Sequence, residues 1–305
     1  MNPGNWPEAL RDRALGAYLG FAIGDALGAT VEFMTAREIE HQFGVHRQIC
    51  GGGWLKLAAG QVTDDTTMAL ALGDAIVEVA GWDLRVVADS FAHWLRAGPI
   101  DCGNTCRRGI RRYLTDGSLA GPPNAGDAGN GALMRNLPVA LATLGEEAAM
   151  QKWSLEQGRL THNHPFSDAA TLWIGRMVHA LLMGEGTAGA WPMADALVGE
   201  CPEFRFQPYP KRASGYVVDT VQTVLYHFFE HESFEDCVIA VVNRGEDADT
   251  TGALAGMLAG ARCGASHLPK RWRDKLDRKV AQRIERQTAA LLDVAAAARM
   301  MKRLV

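Results

Sequence analysis

The sequence has few of the features that mark a secreted or membrane-spanning protein. Its six cysteines form no Cys-x-x-Cys pair, and none has the spacing to histidine that a zinc site needs. We therefore expect reduced thiols, most of them buried. No apolar run is long enough to cross a bilayer, and the first residues lack the basic head and apolar stretch of a signal peptide. The sequence predicts a cytoplasmic protein.

An excess of positive charge is also absent. The formal net charge is −4 at pH 7, which argues against nucleic acid as the main partner. The glycine run Gly51-Gly52-Gly53-Trp54 lacks the lysine and hydroxyl residue of a phosphate-binding P-loop.

A chain of 305 residues with 48% hydrophobic residues is ample for a core. No linker is visible, so we expect one domain over residues 1–305, and a monomer.

Apolar residues recur at helical spacing through most of the chain, and no alternating pattern predicts a β-sheet. Two further expectations concern the second half. Residues 191–214 contain four prolines and are predicted to be irregular. Residues 272–284 have an apolar residue every four positions and are predicted to form one amphipathic helix. The fold class is therefore all-α, with a single compact multi-helix domain.

Two segments carry a glycine at every fourth position, which leaves one face of each predicted helix without side chains. Each interior glycine costs about 1 kcal/mol relative to alanine, so eight of them indicate close backbone contact between the two helices. The positions are Gly16, Gly20, Gly24 and Gly28 in the first segment, and Gly252, Gly256, Gly260 and Gly264 in the second.

An acidic cluster begins two of the predicted apolar helices, at Thr63-Asp64-Asp65 and at Asp247-Ala-Asp249-Thr250. Threonine and aspartate are ordinary helix caps, so either cluster alone is explained by capping. Capping needs only one carboxylate, however, and four carboxylates in two turns repel each other unless a cation offsets their charge. The sequence therefore predicts one divalent-cation site shared by both clusters. Glu32, after the first glycine helix, is either a third contributor or a solvated acid.

Other polar loops are weaker candidates. Asp101 and Asn104 lie between two predicted helices, where they could cap a helix or contact a ligand. The loop 126–131 is rich in glycine and could offer backbone N–H groups to a pyrophosphate. His162 could contact a substrate or stabilise a turn. Arg107, Arg108, Arg111 and Arg112 form a basic helical face, which is typical of a solvated surface but also suits an anionic partner.

Taken together, five motifs resemble the ADP-ribosylglycohydrolase family, in the expected order from about residue 11 to 292. They are GAYLGFAIGDALGATVEFM, GQVTDDTTMALALGDAI, DAGNGALMRNLPVALATLG, THNHPFSDAA and GEDADTTGALAGMLAGA. The resemblance implies an all-α fold, two Mn²⁺ ions with Mg²⁺ as a substitute, and hydrolysis of the N-glycosidic bond between ADP-ribose and an arginine side chain.

The resemblance also implies roles for individual residues. By the resemblance, Asp101 and Asn104 would face the ribose and the bond to be broken. Asp101 and Asp64 are the predicted catalytic residues, with Asp101 as the acid and base because it lies outside both ligand clusters. The metal ligands would be Thr63, Asp64, Asp65, Asp247, Asp249 and Thr250. The substrate would be bound by Glu32, Asn104, Gly129, Asn130, Gly131, Met134, Arg135, His162 and Tyr216.

The segments VEFM, GGGW and GNTCRRGIRRY are similar to the branch of the family that acts on ADP-ribosylated nitrogenase iron protein. This similarity implies that protein as substrate, a PII-type signalling protein and an ammonium transporter as regulatory partners, and reversible membrane association through them. One departure is Glu246, where relatives usually have glycine. The alternatives are a metal-dependent nucleotide or phosphoester hydrolase and a non-catalytic ADP-ribose-binding relative.

Overall fold

The computed structural model describes residues 6–304, and its regular structure is helical. Within this range, pairing between extended segments is limited to isolated β-bridges, which confirms the all-α prediction. The α-helices are α1 (Glu8–Gly28), α2 (Ala36–Phe43), α3 (Asp64–Glu78), α4 (Leu84–Arg96), α5 (Asn104–Asp116), α6 (Leu137–Ala142), α7 (Glu147–Arg159), α8 (Pro165–Met183), α9 (Gly186–Glu200), α10 (Val217–Glu230), α11 (Phe234–Val242), α12 (Ala248–Cys263), α13 (Lys270–Arg273) and α14 (Arg278–Leu304).

Helices α1 and α12 pack against each other through their glycine faces, as predicted. A Cβ atom on Gly24 would lie 1.9 Å from the carbonyl oxygen of Gly252, and one on Gly256 would lie 2.1 Å from that of Gly20. Real Cβ atoms do not approach carbonyl oxygens this closely, so only glycine allows the two backbones to lie together. The pair forms the centre of the molecule, and α12 also contacts α8, α10 and α11.

The core surrounds this helix pair. From Gly16 to Gly28, helix α1 is buried on all sides and is apolar apart from Asp25, as a central helix should be. Tyr18 is fully buried, and its hydroxyl donates to Gln287 Oε1 in α14 at 2.7 Å. One continuous cluster of buried apolar side chains runs from Trp6 to Ala296. A small second cluster of Val31, Ile39 and Ala248 attaches α2 beside the start of α12.

The prediction for residues 191–214 is wrong in its first half. Residues up to Glu200 are helical, with Pro192 inside α9. Ala190, Ala194 and Leu197 are fully buried on the face of α9, and this helix packs on α8. Burial of that apolar face outweighs the cost of one proline, about 3 kcal/mol in a helix interior. The irregular segment begins at Cys201.

The single helix predicted over residues 272–284 is interrupted. Helix α13 ends at Arg273 and α14 begins at Arg278. Asp277 stands at the break, where its Oδ1 accepts from Lys279 N at 2.8 Å and from Val280 N at 3.0 Å. The carboxylate therefore caps α14 and starts a new helix. The four-residue spacing persists because Trp272 before the break, Leu276 within it and Ile284 after it are all buried.

The thiols and the helices bear on two further expectations from composition, and the thiols meet theirs only in part. All six cysteines are free, with Cys102, Cys106 and Cys237 buried. Cys50 is exposed, so burial holds for half of the set rather than for most of it. No helix within the described residues is both long enough and apolar enough to span a bilayer.

Candidate metal centre and substrate cavity

The start of α3 is organised by Asp25, a fully buried residue of α1. Its carboxylate accepts from the backbone N–H of Thr63 at 3.0 Å, from that of Thr66 at 3.2 Å, and from the Thr66 hydroxyl at 2.5 Å. Asp25 thus satisfies N–H groups that a cap residue normally satisfies. The carboxylates of Asp64 and Asp65 are thereby left for another purpose.

Sequence reasoning missed Asp25. It lies in the middle of a glycine-rich apolar helix, and nothing near it in sequence indicates a partner. The available signal was the lone acid itself, because a charged residue is almost never fully buried unless it is paired or hydrogen-bonded.

The start of α12 faces the start of α3. The Thr250 hydroxyl donates to Asp65 Oδ2 at 3.2 Å. Carboxylate oxygens of Asp64, Asp65 and Asp249 all lie within 4.8 Å of one another, and so do those of Glu32, Asp247 and Asp249. The structure therefore brings the two acidic clusters together, and the two groups of three carboxylates share Asp249.

These carboxylates are buried, and their charges oppose each other. Burial and then the neighbouring charge of Asp101 raise the pKa of Asp64 to about 7. Burial raises the pKa of Glu32 to about 8. The hydrogen bond from Trp54 lowers this pKa in part, and the negative charges of nearby aspartates raise it further. The pKa values of Asp65 and Asp249 are raised well above the usual range by burial and by the surrounding carboxylates.

A divalent cation fits this arrangement. Asp65 Oδ1 and Asp249 Oδ1 are buried and have no hydrogen-bond donor, which is costly for a carboxylate in the protein interior. Six acids line the adjoining cavity, and lysine and arginine are absent from its lining. Oxygen ligands of this kind are preferred by hard cations such as Mg²⁺ and Mn²⁺.

The acidic cluster forms one wall of a cavity of about 230 Å³. Most residues predicted from the sequence to bind metal or substrate line this cavity. They are Glu32, Asp64, Asp65, Asp101, Asn104, Gly129, Asn130, Gly131, Met134, His162, Asp247, Asp249 and Thr250.

The loop between α4 and α5 brings Asp101 to the cavity. One Asp101 oxygen, Oδ1, accepts from Cys102 N at 2.7 Å. The Gly103 N–H donates to Asp64 Oδ2 at 3.2 Å and ties the loop to the acidic cluster. Asp101 is partly exposed and lines the cavity.

Gly129, Asn130 and Gly131 form another part of the cavity wall, beside the acidic cluster. Asn130 Nδ2 donates to Asp247, and Asn130 N donates to Gly215 O at 3.1 Å. A Cβ on Gly131 would lie 3.0 Å from His162 Nε2, so the absent side chain leaves room for the imidazole. Burial and then the charges of Arg135 and Arg108 hold the pKa of His162 well below its usual value. His162 is therefore a neutral ring at physiological pH.

Three of the predicted residues do not line the cavity. Thr63 is fully buried and caps α3 through its hydroxyl, which accepts from Asp65 N at 3.3 Å. Tyr216 is 41% exposed and joins the wall only through a backbone bridge to Gly129.

Arg135 is the third residue outside the lining, and it is fully buried. Its Nε donates to Gln157 Oε1 at 2.7 Å, and its Nη1 donates to Gly131 O at 2.9 Å. Its Nη2 donates to Thr161 Oγ1 at 2.8 Å. The guanidinium therefore supports the wall from behind rather than entering the cavity.

Glu246 adopts a left-handed backbone conformation, with φ of 54°, which favours glycine. Its N–H donates to Met34 O at 2.8 Å, and its Oε2 accepts from Ala213 N at 3.0 Å. The extra carboxylate thus anchors the segment that precedes Gly215. It does not contribute to the carboxylate groups described above.

The helical fold and the buried acidic cavity define a class of all-α protein with a carboxylate site suited to divalent cations. Residues 6–301 match the family model described as ADP-ribosylglycohydrolase. The chain therefore belongs to the ADP-ribosylglycohydrolase family, as the motifs in its sequence predict.

Individual relatives agree with this assignment. The chain is 55% identical over 287 residues to the ADP-ribosyl-[dinitrogen reductase] glycohydrolase of Rhodospirillum rubrum. The aligned region covers 94% of this chain and 98% of that protein. It is 34% identical over 285 residues to the ADP-ribosylarginine hydrolase Tri1 of Pseudomonas putida (strain GB-1), covering 88% of this chain and 76% of that protein.

A solved structure shares the fold. The chain superposes on a chain of an ADP-ribosylglycohydrolase-related protein complex with a TM-score of 0.84 and 31% identity. The superposition covers 95% of this chain and 100% of that chain.

Proposed function

We propose that the protein hydrolyses the N-glycosidic bond between ADP-ribose and an arginine side chain of a target protein, and that the target is ADP-ribosylated nitrogenase iron protein. The observation that carries this proposal is the meeting of two acidic helix starts at one cavity, in a chain 55% identical to a glycohydrolase named for that substrate.

The proposed metal ligands are Thr63, Asp64, Asp65, Asp247, Asp249 and Thr250, with Glu32 beside them. They would hold two Mn²⁺ ions, with Mg²⁺ as a substitute, because buried carboxylates without donors suit hard cations. Bound cations would supply Lewis acidity and offset the charge of the aspartates.

Asp101 is the proposed proton carrier. In the reaction, water adds to the anomeric carbon, the C–N bond breaks, and the guanidine nitrogen takes a proton. Asp101 lies on the cavity wall with only Oδ1 held by a backbone N–H, so Oδ2 can give a proton to the leaving group and recover one from the water. Asp64, next to it in the cluster, is the second proposed catalytic residue because its carboxylate would orient both water and cation.

The remaining walls are proposed to bind ADP-ribose. Asn104 and Met134 line the cavity near Asp101, and the loop 129–131 offers backbone groups with little steric bulk. Neutral His162 can donate or accept one hydrogen bond without adding charge. Arg135 is proposed to act on the substrate indirectly, by holding Gly131 and Thr161 in place. Tyr216 is proposed to contact the substrate from the rim of the cavity.

Incubation with ADP-ribosylated iron protein and Mn²⁺ tests the proposal. We expect release of ADP-ribose with an intact arginine, whereas free phosphate would indicate a nucleotide or phosphoester hydrolase. Binding of ADP-ribose without turnover would indicate a non-catalytic relative. The variant Asp101→Asn should lose about 10²-fold to 10⁴-fold in kcat and retain its bound metal. Turnover close to that of the unsubstituted protein would exclude Asp101 as the acid and base.

We also propose regulation by a PII-type signalling protein and, through it, an ammonium transporter that draws a cytoplasmic monomer to the membrane. No nucleic-acid partner is proposed. The basic face of α5 is the candidate surface. Arg108 is paired with Asp127, and Arg107 and Arg112 donate to the carbonyl oxygens of Cys102 and Leu160. Arg111 is therefore the arginine to test. Arg111→Glu should weaken binding to the PII-type protein, and unchanged binding would remove this face from consideration.

A further inference from the structure

Trp54 occupies the tip of a tight turn beside the cavity mouth. Gly51, Gly52 and Gly53 all have left-handed φ angles, between 67° and 85°. Gly52 pairs with Leu57 across the turn, with N–O distances of 2.8 and 2.9 Å. A Cβ on Gly53 would lie 2.3 Å from the carbonyl oxygen of Ala29, so the turn packs directly against the end of α1. The tryptophan is therefore held in place although its side chain is 51% exposed.

The indole of Trp54 contacts Glu32, which is one of the acids of the cavity. Trp54 Nε1 donates to Glu32 Oε2 at 2.7 Å. The Glu32 residue is only 5% exposed, and its carboxylate lies within 4.8 Å of those of Asp247 and Asp249. A carboxylate can accept several hydrogen bonds, so the bond to Trp54 leaves Glu32 able to approach a cation as well.

The backbone around Glu32 limits its freedom. The next residue, Phe33, has a left-handed φ of 63°, and its N–H donates to Glu246 O at 2.6 Å. The Phe33 ring packs on Trp54, with centroids 5.3 Å apart. The backbone thus fixes the Cα position of Glu32, whereas the rotation of its side chain is restrained by Trp54.

We infer that Trp54 is a positioning residue that holds the Glu32 carboxylate beside Asp247 and Asp249 for cation binding. This inference rests on the proposed function for its role in turnover, but cation binding can be measured without it. Hydrogen bonds that orient a metal-ligating carboxylate typically change metal affinity or activity by about 10-fold to 100-fold when removed. The Trp54 bond is solvent-accessible, so we place its effect at the lower end.

A double-mutant cycle separates positioning from general stability. Mn²⁺ affinity is measured by calorimetry for the unsubstituted chain, Trp54→Phe, Glu32→Ala and the double variant. Phenylalanine keeps an aromatic ring beside Phe33 and removes the N–H donor together with one ring of the indole, a loss that the control below reproduces. We expect Trp54→Phe to weaken Mn²⁺ binding about tenfold by itself, and to have almost no further effect once Glu32 is alanine.

The chain provides a matched control for loss of an indole–carboxylate bond. Trp173 Nε1 donates to Glu200 Oε2 at 2.7 Å, and neither residue lines the cavity. Trp173→Phe should therefore leave Mn²⁺ affinity unchanged. Thermal melting of each variant in the absence of metal shows whether the fold is retained.

Two results would overturn the inference. One is unchanged Mn²⁺ affinity in Trp54→Phe, and the other is equal weakening with and without Glu32. Release of ADP-ribose from the modified iron protein is measured in parallel, and kcat/KM should fall together with Mn²⁺ affinity at low metal concentration. If the Mn²⁺ affinities follow the expected cycle but the unsubstituted chain releases no ADP-ribose, the proposed function is contradicted and the role of Trp54 in cation binding still holds.

Discussion

Replacing Gly28 with alanine tests whether the glycine contact between α1 and α12 builds the cation site. A Cβ there would lie 2.0 Å from the carbonyl oxygen of Ala248 and 2.7 Å from Cα of Asp249. To reach even a tight contact, the two helices must separate locally by about 1 Å. That displacement falls on Asp249, the carboxylate shared by both acidic groups.

The cost of Gly28→Ala can be estimated from this displacement. Overpacking a rigid core typically costs about 1–3 kcal/mol, and the better helix propensity of alanine returns at most about 1 kcal/mol. Because the clash is with backbone, which cannot change rotamer, we expect a net loss of about 2 kcal/mol, which for a chain of 305 residues corresponds to a fall in Tm of about 3 °C. Mn²⁺ affinity should fall at least tenfold, since the Asp249 carboxylate is moved.

Gly199→Ala is the control for this experiment. Gly199 is an exposed residue of α9, and a Cβ there would have no neighbour within 4 Å. Alanine should therefore leave stability unchanged or raise it by up to about 1 kcal/mol, with unchanged Mn²⁺ affinity. Thermal melting and calorimetric titration give both quantities. Equal Tm and equal Mn²⁺ affinity for Gly28→Ala and the unsubstituted chain would refute the account of the helix pair.

Three further predictions concern the buried acids and the left-handed turn. Asp25→Asn should lower the free energy of unfolding by about 1–3 kcal/mol, because an amide cannot accept all of the N–H and O–H donors now facing the carboxylate. A urea titration without metal measures this change. An unchanged midpoint would contradict the prediction. The metal-free protein should lose stability as pH rises from about 5 to 8, because the pKa values of Asp64, about 7, and Glu32, about 8, exceed those of the unfolded chain. The folded state then holds more protons than the unfolded state, so deprotonation favours unfolding, and saturating Mn²⁺ should remove or reverse the trend in melting curves. Glu246→Ala should be less stable than Glu246→Gly by about 1 kcal/mol. Both variants lose the hydrogen bond to Ala213, but only glycine relieves the left-handed φ angle. Equal denaturation midpoints would argue against backbone strain at this position.

The parts of the site that could be read from the sequence are those encoded locally. Asp64, Asp65 and Asp249 each lie in a short acidic segment that begins an apolar helix, and the glycine spacing of α1 and α12 indicates that these two helices pack together. The inference needs only helical geometry and charge repulsion.

The parts that could not be read depend on contacts between distant residues. Asp25 meets Thr63 and Thr66 only after folding, and Trp54 meets Glu32 across a turn whose shape depends on three left-handed glycines. The helix around Pro192 was missed for the same reason, because local proline content gives no information about the apolar face that packs on α8.

The glycine contact between α1 and α12 also limits how the cation site can vary. Elsewhere in a core, a changed side chain can be accommodated when its neighbours adopt other rotamers. Between these two helices backbone touches backbone, so no rotamer exists to take up a change in spacing. The distance between the end of α1 and the acidic start of α12 is therefore close to invariant, and Asp25 ties the start of α3 to α1. Differences in the preferred ion size or in cation affinity must therefore arise in the loops that carry Glu32 and Asp247, because these loops lie outside the contact between the helices.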